Sequence, residues 1–169
     1  MSEPSSASAL AAYRLTDQFG RVHERATVAG RPALYVLATR QGTGPLAVWT
    51  RELRALATAS ATARDVAAGD ADRADRGAAA VIPVAVIPVA VIPGVPTLLR
   101  GAVRRLLPRD RQAWVLVDFD GSLATLAEPE APCTVTLVDP AGAVRVRAVV
   151  AGYEPEEAAA LVTAAERAR

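Results

Sequence analysis

Apolar and polar positions follow one another in short blocks along this chain, and the period changes from block to block. Tyr13 to His23 alternates around Asp17-x-x-Gly20, which predicts a short hairpin. Ala33 to Ala38 is continuously apolar, the pattern of a strand buried on both faces. From Leu46 the apolar positions Trp49, Leu53, Leu56 and Ala57 recur at helical spacing, and Pro45 suits the first turn of that helix. Residues 64 to 80 are low in complexity and polar up to Gly77; they read equally as more helix or as a solvated connection.

Further along, Thr97 to Leu107 predicts a second helix and Ala113 to Val117 another buried strand, which turns at Asp118-Phe-Asp120-Gly121. Ser122 to Glu128 can make a short helix. Strands at Thr134 to Val138 and Ala143 to Val150 flank the turn Asp139-Pro-Ala-Gly142, with Arg145 and Arg147 on one face. Glu154-Pro155-Glu-Glu opens a last helix to about Ala168, with acids in its first turn and arginine in its last. The order predicts one α/β domain over residues 13–169. It has a central mixed sheet, helices on both faces and an N-terminal hairpin, behind a flexible leader of residues 1–12.

Residues 81 to 96 break these patterns. Val-Ile-Pro-Val-Ala repeats there and places Pro83, Pro88 and Pro93 five residues apart, inside an uncharged run from Gly77 to Leu99. The run is long enough to cross a bilayer. Each proline, however, removes a helix hydrogen bond and clashes at a cost of about 3 kcal/mol. A single short buried strand within 84–92 fits better than a membrane span. An exposed apolar segment within 77–99 that docks a partner, or a membrane surface, is the alternative.

Composition narrows the chemistry. All 19 basic residues are arginine, so no lysine serves as nucleophile or phosphate ligand. The net charge of +1 gives no pull toward nucleic acid. One cysteine, Cys133, excludes an internal disulfide, and one histidine, His23, argues against a histidine-built metal centre. Neither a cofactor nor a metal is expected, and the absence of a signal-like start predicts a cytoplasmic protein.

Two local signals have bland readings. Asp118-Phe-Asp120-Gly121-Ser-Leu123 resembles the first motif of haloacid-dehalogenase-type phosphatases, but only 46 residues follow it, and a strand-end turn explains it as well. Arg100, Arg104, Arg105, Arg109 and Arg111 read as a solvated helix face in preference to an anion site.

The ordered set of segments resembles the thioredoxin-like superfamily in its peroxiredoxin and redoxin branch. Leu15-Thr-Asp17-Gln-Phe-Gly20 looks like the opening hairpin, and Gly30-Arg-Pro-Ala-Leu-Tyr-Val-Leu like the first core strand. Trp49-Thr-Arg-Glu52-Leu53 is similar to the Cys-x-x-Glu-Leu around the peroxide-reacting thiol, with tryptophan in place of cysteine. Thr134-Val-Thr-Leu-Val-Asp139-Pro-Ala-Gly142 looks like the strand and turn before the last helix. The resemblance implies an active-site region at Pro45, Trp49, Glu52 and Pro132, the last a candidate for the cis-proline of thioredoxins. It also places Cys133 where peroxiredoxins carry an assisting arginine.

That family works through a thiolate at a helix N-terminus, where dipole and backbone N–H groups lower the thiol pKa. Trp49 cannot replace it. The leading expectation is therefore a redoxin-like protein that has lost thiol chemistry and serves as a binding or structural module. A single-cysteine oxidoreductase using Cys133 and a membrane-associated protein are the alternatives.

Overall fold

A computed structural model describes residues 10, 12–39, 42–69, 83–107 and 113–168. Seven strands form one mixed sheet: β1 (Arg14–Asp17), β2 (Val22–Glu24), β3 (Ala33–Ala38), β4 (Ala85–Val91), β5 (Leu116–Asp118), β6 (Cys133–Val138) and β7 (Val144–Val149). The helices are α1 (Thr43–Gly69), α2 (Thr97–Leu106) and α3 (Pro155–Arg167), and short 3₁₀ turns occupy Arg25–Val28 and Ala124–Leu126. The strand order is β2-β1-β5-β4-β3-β6-β7.

β3 lies at the centre, parallel to β4 and antiparallel to β6, and every one of its residues is buried. Its unbroken apolar run follows from that position, since neither face meets water. β4 is the short strand expected within 84–92, and it is central too. Pro88 pairs with Val36 of β3, whereas the ladder to β5 begins only at Val89 opposite Leu116. The proline therefore sits where the β5 side of the ladder has not yet formed, a local edge that tolerates a missing donor.

Both hairpins rest on the same device. Asp17 is fully buried and accepts the Phe19 and Arg21 amides at 2.9 Å and the Arg21 Nε at 2.7 Å. Asp139 accepts the Ala143 amide at 2.8 Å and the Arg145 Nε at 2.7 Å, and Gly142 takes a φ of +94° that an L side chain rarely adopts. His23 Nε2 lies 3.1 Å from Asp17 Oδ2, and the His23 ring stacks on Trp114 at 4.7 Å.

The helices do not flank the sheet as expected: all three gather on one face. Leu46, Trp49 and Leu53 of α1 and Leu161 and Val162 of α3 pack on Leu34, Val36, Val86 and Val135. α2 joins that face near β5 through Val103 against Val117 and Phe119, and its Arg104 reaches Thr16. The reason is topological. β3 to β4 and β4 to β5 step in the same direction across parallel pairs, and two right-handed crossovers in one direction put both helices on one side. The opposite face is covered by Leu10, Tyr13, Leu15, Leu123 and Leu126, from the N-terminal segment and the 3₁₀ region.

Other boundaries moved as well. α1 begins at Thr43, three residues ahead of Leu46, and runs into the polar stretch as far as Gly69. The buried strand expected at Ala113 to Val117 runs instead from Leu116 to Asp118. Within the expected flexible leader Leu10 is buried and its amide donates to the Gly142 carbonyl at 2.7 Å, so the ordered body begins earlier than residue 13; residues 1–9, 11 and 70–80 lie outside the described residues.

Candidate functional site

The carboxyl end of β3 meets the N-terminus of α1 through Thr39 to Gly42, and this junction rests on the residue before β6. The Thr39 amide donates to the Pro132 carbonyl at 3.1 Å, and the Gly42 amide returns to the Thr39 carbonyl at 3.0 Å. A Cβ on Gly42 would stand 1.7 Å from the Pro132 oxygen, so only glycine permits this approach. Gly42 then accepts the Leu46 amide at 3.1 Å as α1 starts.

Beside the junction lies a cleft of about 480 Å³, lined by Thr39, Val91, Pro93, Glu128, Pro129 and Pro132 among others. Its wall between β5 and β6 is pinned to the sheet: the Glu128 amide donates to Thr134 Oγ1 at 3.0 Å, and Thr136 Oγ1 donates to the Leu126 carbonyl at 2.7 Å. Glu128 is 3.4 Å from Arg147, which also reaches the Thr125 carbonyl at 2.7 Å. The lining thus offers rigid proline edges, a hydroxyl and the two carboxylates of Glu128 and Glu130. It holds no thiol and no imidazole.

The predicted site residues divide into three groups. Pro132 supports the junction, and Pro45 is half-buried in the first turn of α1. No peptide bond among the described residues is cis, so Pro132 does not reproduce the cis-proline of thioredoxins. Trp49 and Cys133 are both fully buried in the core between sheet, α1 and α3. Glu52 is turned away and pairs with Arg51 at 2.7 Å.

Trp49 is not at the mouth of the helix. With α1 starting at Thr43, it falls in the second turn, where backbone N–H groups are already paired within the helix. Its indole donates to the Gly152 carbonyl at 3.0 Å and meets Tyr153 edge-on at 5.3 Å. The positions at the mouth are Gly42, Thr43, Gly44 and Pro45. The run of small residues and proline after a buried strand was the sequence signal for this junction.

Cys133 opens β6 opposite Ala38. Burial pushes its thiol up to about 12, against a smaller lowering by a hydrogen bond from the Thr134 backbone. At neutral pH such a thiol is almost wholly protonated. Asp118, the first residue of the phosphatase-like motif, is buried and accepts the Ser122 and Leu123 amides at 3.1 and 2.8 Å. Asp120 pairs on the surface with Arg100 at 2.7 Å. That motif is a strand-end turn in this fold. Among the described residues no group of three or more His, Cys, Asp and Glu side chains is placed to hold a metal ion.

No family model matches the chain, and neither does any curated protein. Solved structures do. The exposed lipoprotein thioredoxin Etrx1 of Streptococcus pneumoniae superposes with a TM-score of 0.59 at 14% identity, over 91% of this chain and 99% of that one. MTB dsbF, solved in mixed oxidised and reduced forms, gives 0.53 at 18% identity over 95% and 99%. BsSco, of the Sco family of cytochrome c oxidase assembly proteins, gives 0.54 at 15% identity over 100% and 99%. At these identities the likeness is one of fold: the chain has a thioredoxin-like fold.

Proposed function

We propose that this chain is a redoxin-like domain that has given up thiol chemistry and binds a partner segment in the cleft beside Pro132. One observation carries the reading. The only cysteine of the sequence is sealed in the core with its pKa pushed up to about 12, while the mouth of α1 offers two glycines, a threonine and a proline. A thiol reaction needs an accessible thiolate, and Cys133 is buried, with burial opposing its ionisation. The cleft keeps what a binding site needs without it: a rigid floor, proline edges and the polar side chains of Thr39, Glu128 and Glu130.

Two measurements test this. Cys133 in the native chain should resist iodoacetamide at neutral pH and label only after unfolding, and the protein should turn over neither peroxide nor a disulfide substrate. Rapid native labelling, or a Cys133 mixed disulfide after mild oxidation, would return the single-cysteine oxidoreductase to the front. For the binding half, peptides selected from a displayed library should lose affinity when Ala124→Trp fills the cleft. Selected peptides indifferent to that change would remove the cleft from the proposal.

A further inference from the structure

Helix α2 turns its apolar stripe outward. At about 100° per residue, Leu98, Ala102, Leu106 and Leu99 fall within an arc of about 100° on one side. Leu98 is 96% exposed, Leu106 85% and Leu99 54%. The side facing the body carries Val103 together with two arginines. Arg100 holds Asp120 at 2.7 Å and Arg104 holds Thr16 at 2.7 Å, and both guanidinium groups sit over the Phe119 ring, at 5.1 and 5.3 Å. Arginines expected to form a solvated face are the attachment of the helix, and the leucines are its surface. A soluble helix has the opposite arrangement.

We propose that this stripe seats on an anionic lipid surface. No acidic residue occurs between Val95 and Leu107, and Arg105 stands exposed at the edge of the stripe, in a chain whose net charge is only +1. The apolar patch with Arg105 at its edge matches an interface of acyl chains below anionic headgroups. A second copy of the chain is a poorer occupant. Parallel pairing of two α2 helices would bring like charges at Arg105 together. A 10-residue helix, about 15 Å long, also falls short of the about 800 Å² per partner that stable dimers bury. Because α2 is fixed along its inner side, a protein groove cannot wrap it, whereas a flat surface can meet the whole stripe. The membrane contact kept as an alternative for 77–99 thereby narrows to Leu98, Leu99 and the helix beyond them, since Ala85–Val91 is a buried central strand. Among the described residues no helix is long and apolar enough to cross a membrane, so the contact is one of docking.

The full chain should float with vesicles of phosphatidylcholine mixed with phosphatidylglycerol, and much less with phosphatidylcholine alone. The pair Leu98→Gln and Leu106→Gln should weaken that binding by roughly tenfold or more, given the apolar area withdrawn. Because these side chains are solvent-exposed, the thermal unfolding midpoint should stay where it is. Arg105→Glu should reduce binding to the anionic vesicles alone. Failure of the wild-type chain to bind, or equal binding by the Leu98/Leu106 variant, overturns the proposal. So does a concentration-dependent dimer in sedimentation velocity that the same variant abolishes, which would assign the stripe to a second copy.

Discussion

The indole of Trp49 joins α1 to the segment before α3, through its hydrogen bond to Gly152 and its contact with Tyr153. A cysteine at this point would be as buried as the indole and would meet none of the free amides that activate a thiol. Trp49→Phe keeps most of the apolar volume but leaves the Gly152 carbonyl without its donor, and should cost about 1–2 kcal/mol. Trp49→Ala opens a cavity and should cost about 3–5 kcal/mol. Urea unfolding of both variants checks the two values; a neutral Trp49→Ala would mean that the core between α1 and α3 is not packed as described. Trp49 was legible from sequence as a core residue at helical spacing. Its depth in the helix was not, because the Gly42 to Pro45 run reads as a turn until its carbonyls are seen to start α1.

At the scale of elements, the junction of β3 and α1 is fixed by what Gly42 lacks. Gly42→Ala would drive a methyl group into the Pro132 carbonyl, which is backbone and cannot swing aside. The loop or the start of β6 must then move, at a cost of about 1–3 kcal/mol, and the cleft should change shape with it. Amide chemical shifts of Thr39 and Cys133 should move together in this variant, and independent responses would show that the two segments are not coupled. Strands and helices themselves were largely readable, because β3 and β6 declare burial by composition and α1 by spacing. The side each helix takes was not. The period of α2 reveals a stripe of leucines, but nothing in that period says whether the core will take the leucines or the arginines. Phe119, with two guanidinium groups over its ring, decides it.

Across the whole molecule, the two hairpin aspartates set the response to acid. Burial would raise Asp17, but hydrogen bonds from His23, from Arg21 and from the Phe19 amide outweigh it and hold its pKa below the usual value. Asp139 is lowered against its own burial by the Ala143 amide and by Arg145. A carboxylate with a depressed folded pKa contributes fully above its unfolded value, near 3.9, and loses that contribution as pH falls through the folded value. The unfolding midpoint should therefore fall steeply below about pH 4, and Asp17→Asn with Asp139→Asn should flatten that limb while lowering the plateau above it. An unchanged acid limb would place the sensitivity elsewhere. These turns were predictable from Asp-x-x-Gly; the gathering of all helices on one face was not, since it depends on the direction of successive crossovers. The proline repeat, finally, has a consequence for the chain before it is folded. Between Pro83, Pro88 and Pro93 the apolar segments Val-Ala-Val-Ile and Val-Ala-Val-Ile are each four residues long. Segments that zip into cross-β fibrils need about six or seven residues free of proline. The native sheet accommodates Pro88 because β5 starts late, while a stacked fibril repeats its pairing at every residue and has no such gap. The repeat thus supplies a central strand of high β-propensity that carries its own gatekeepers against aggregation.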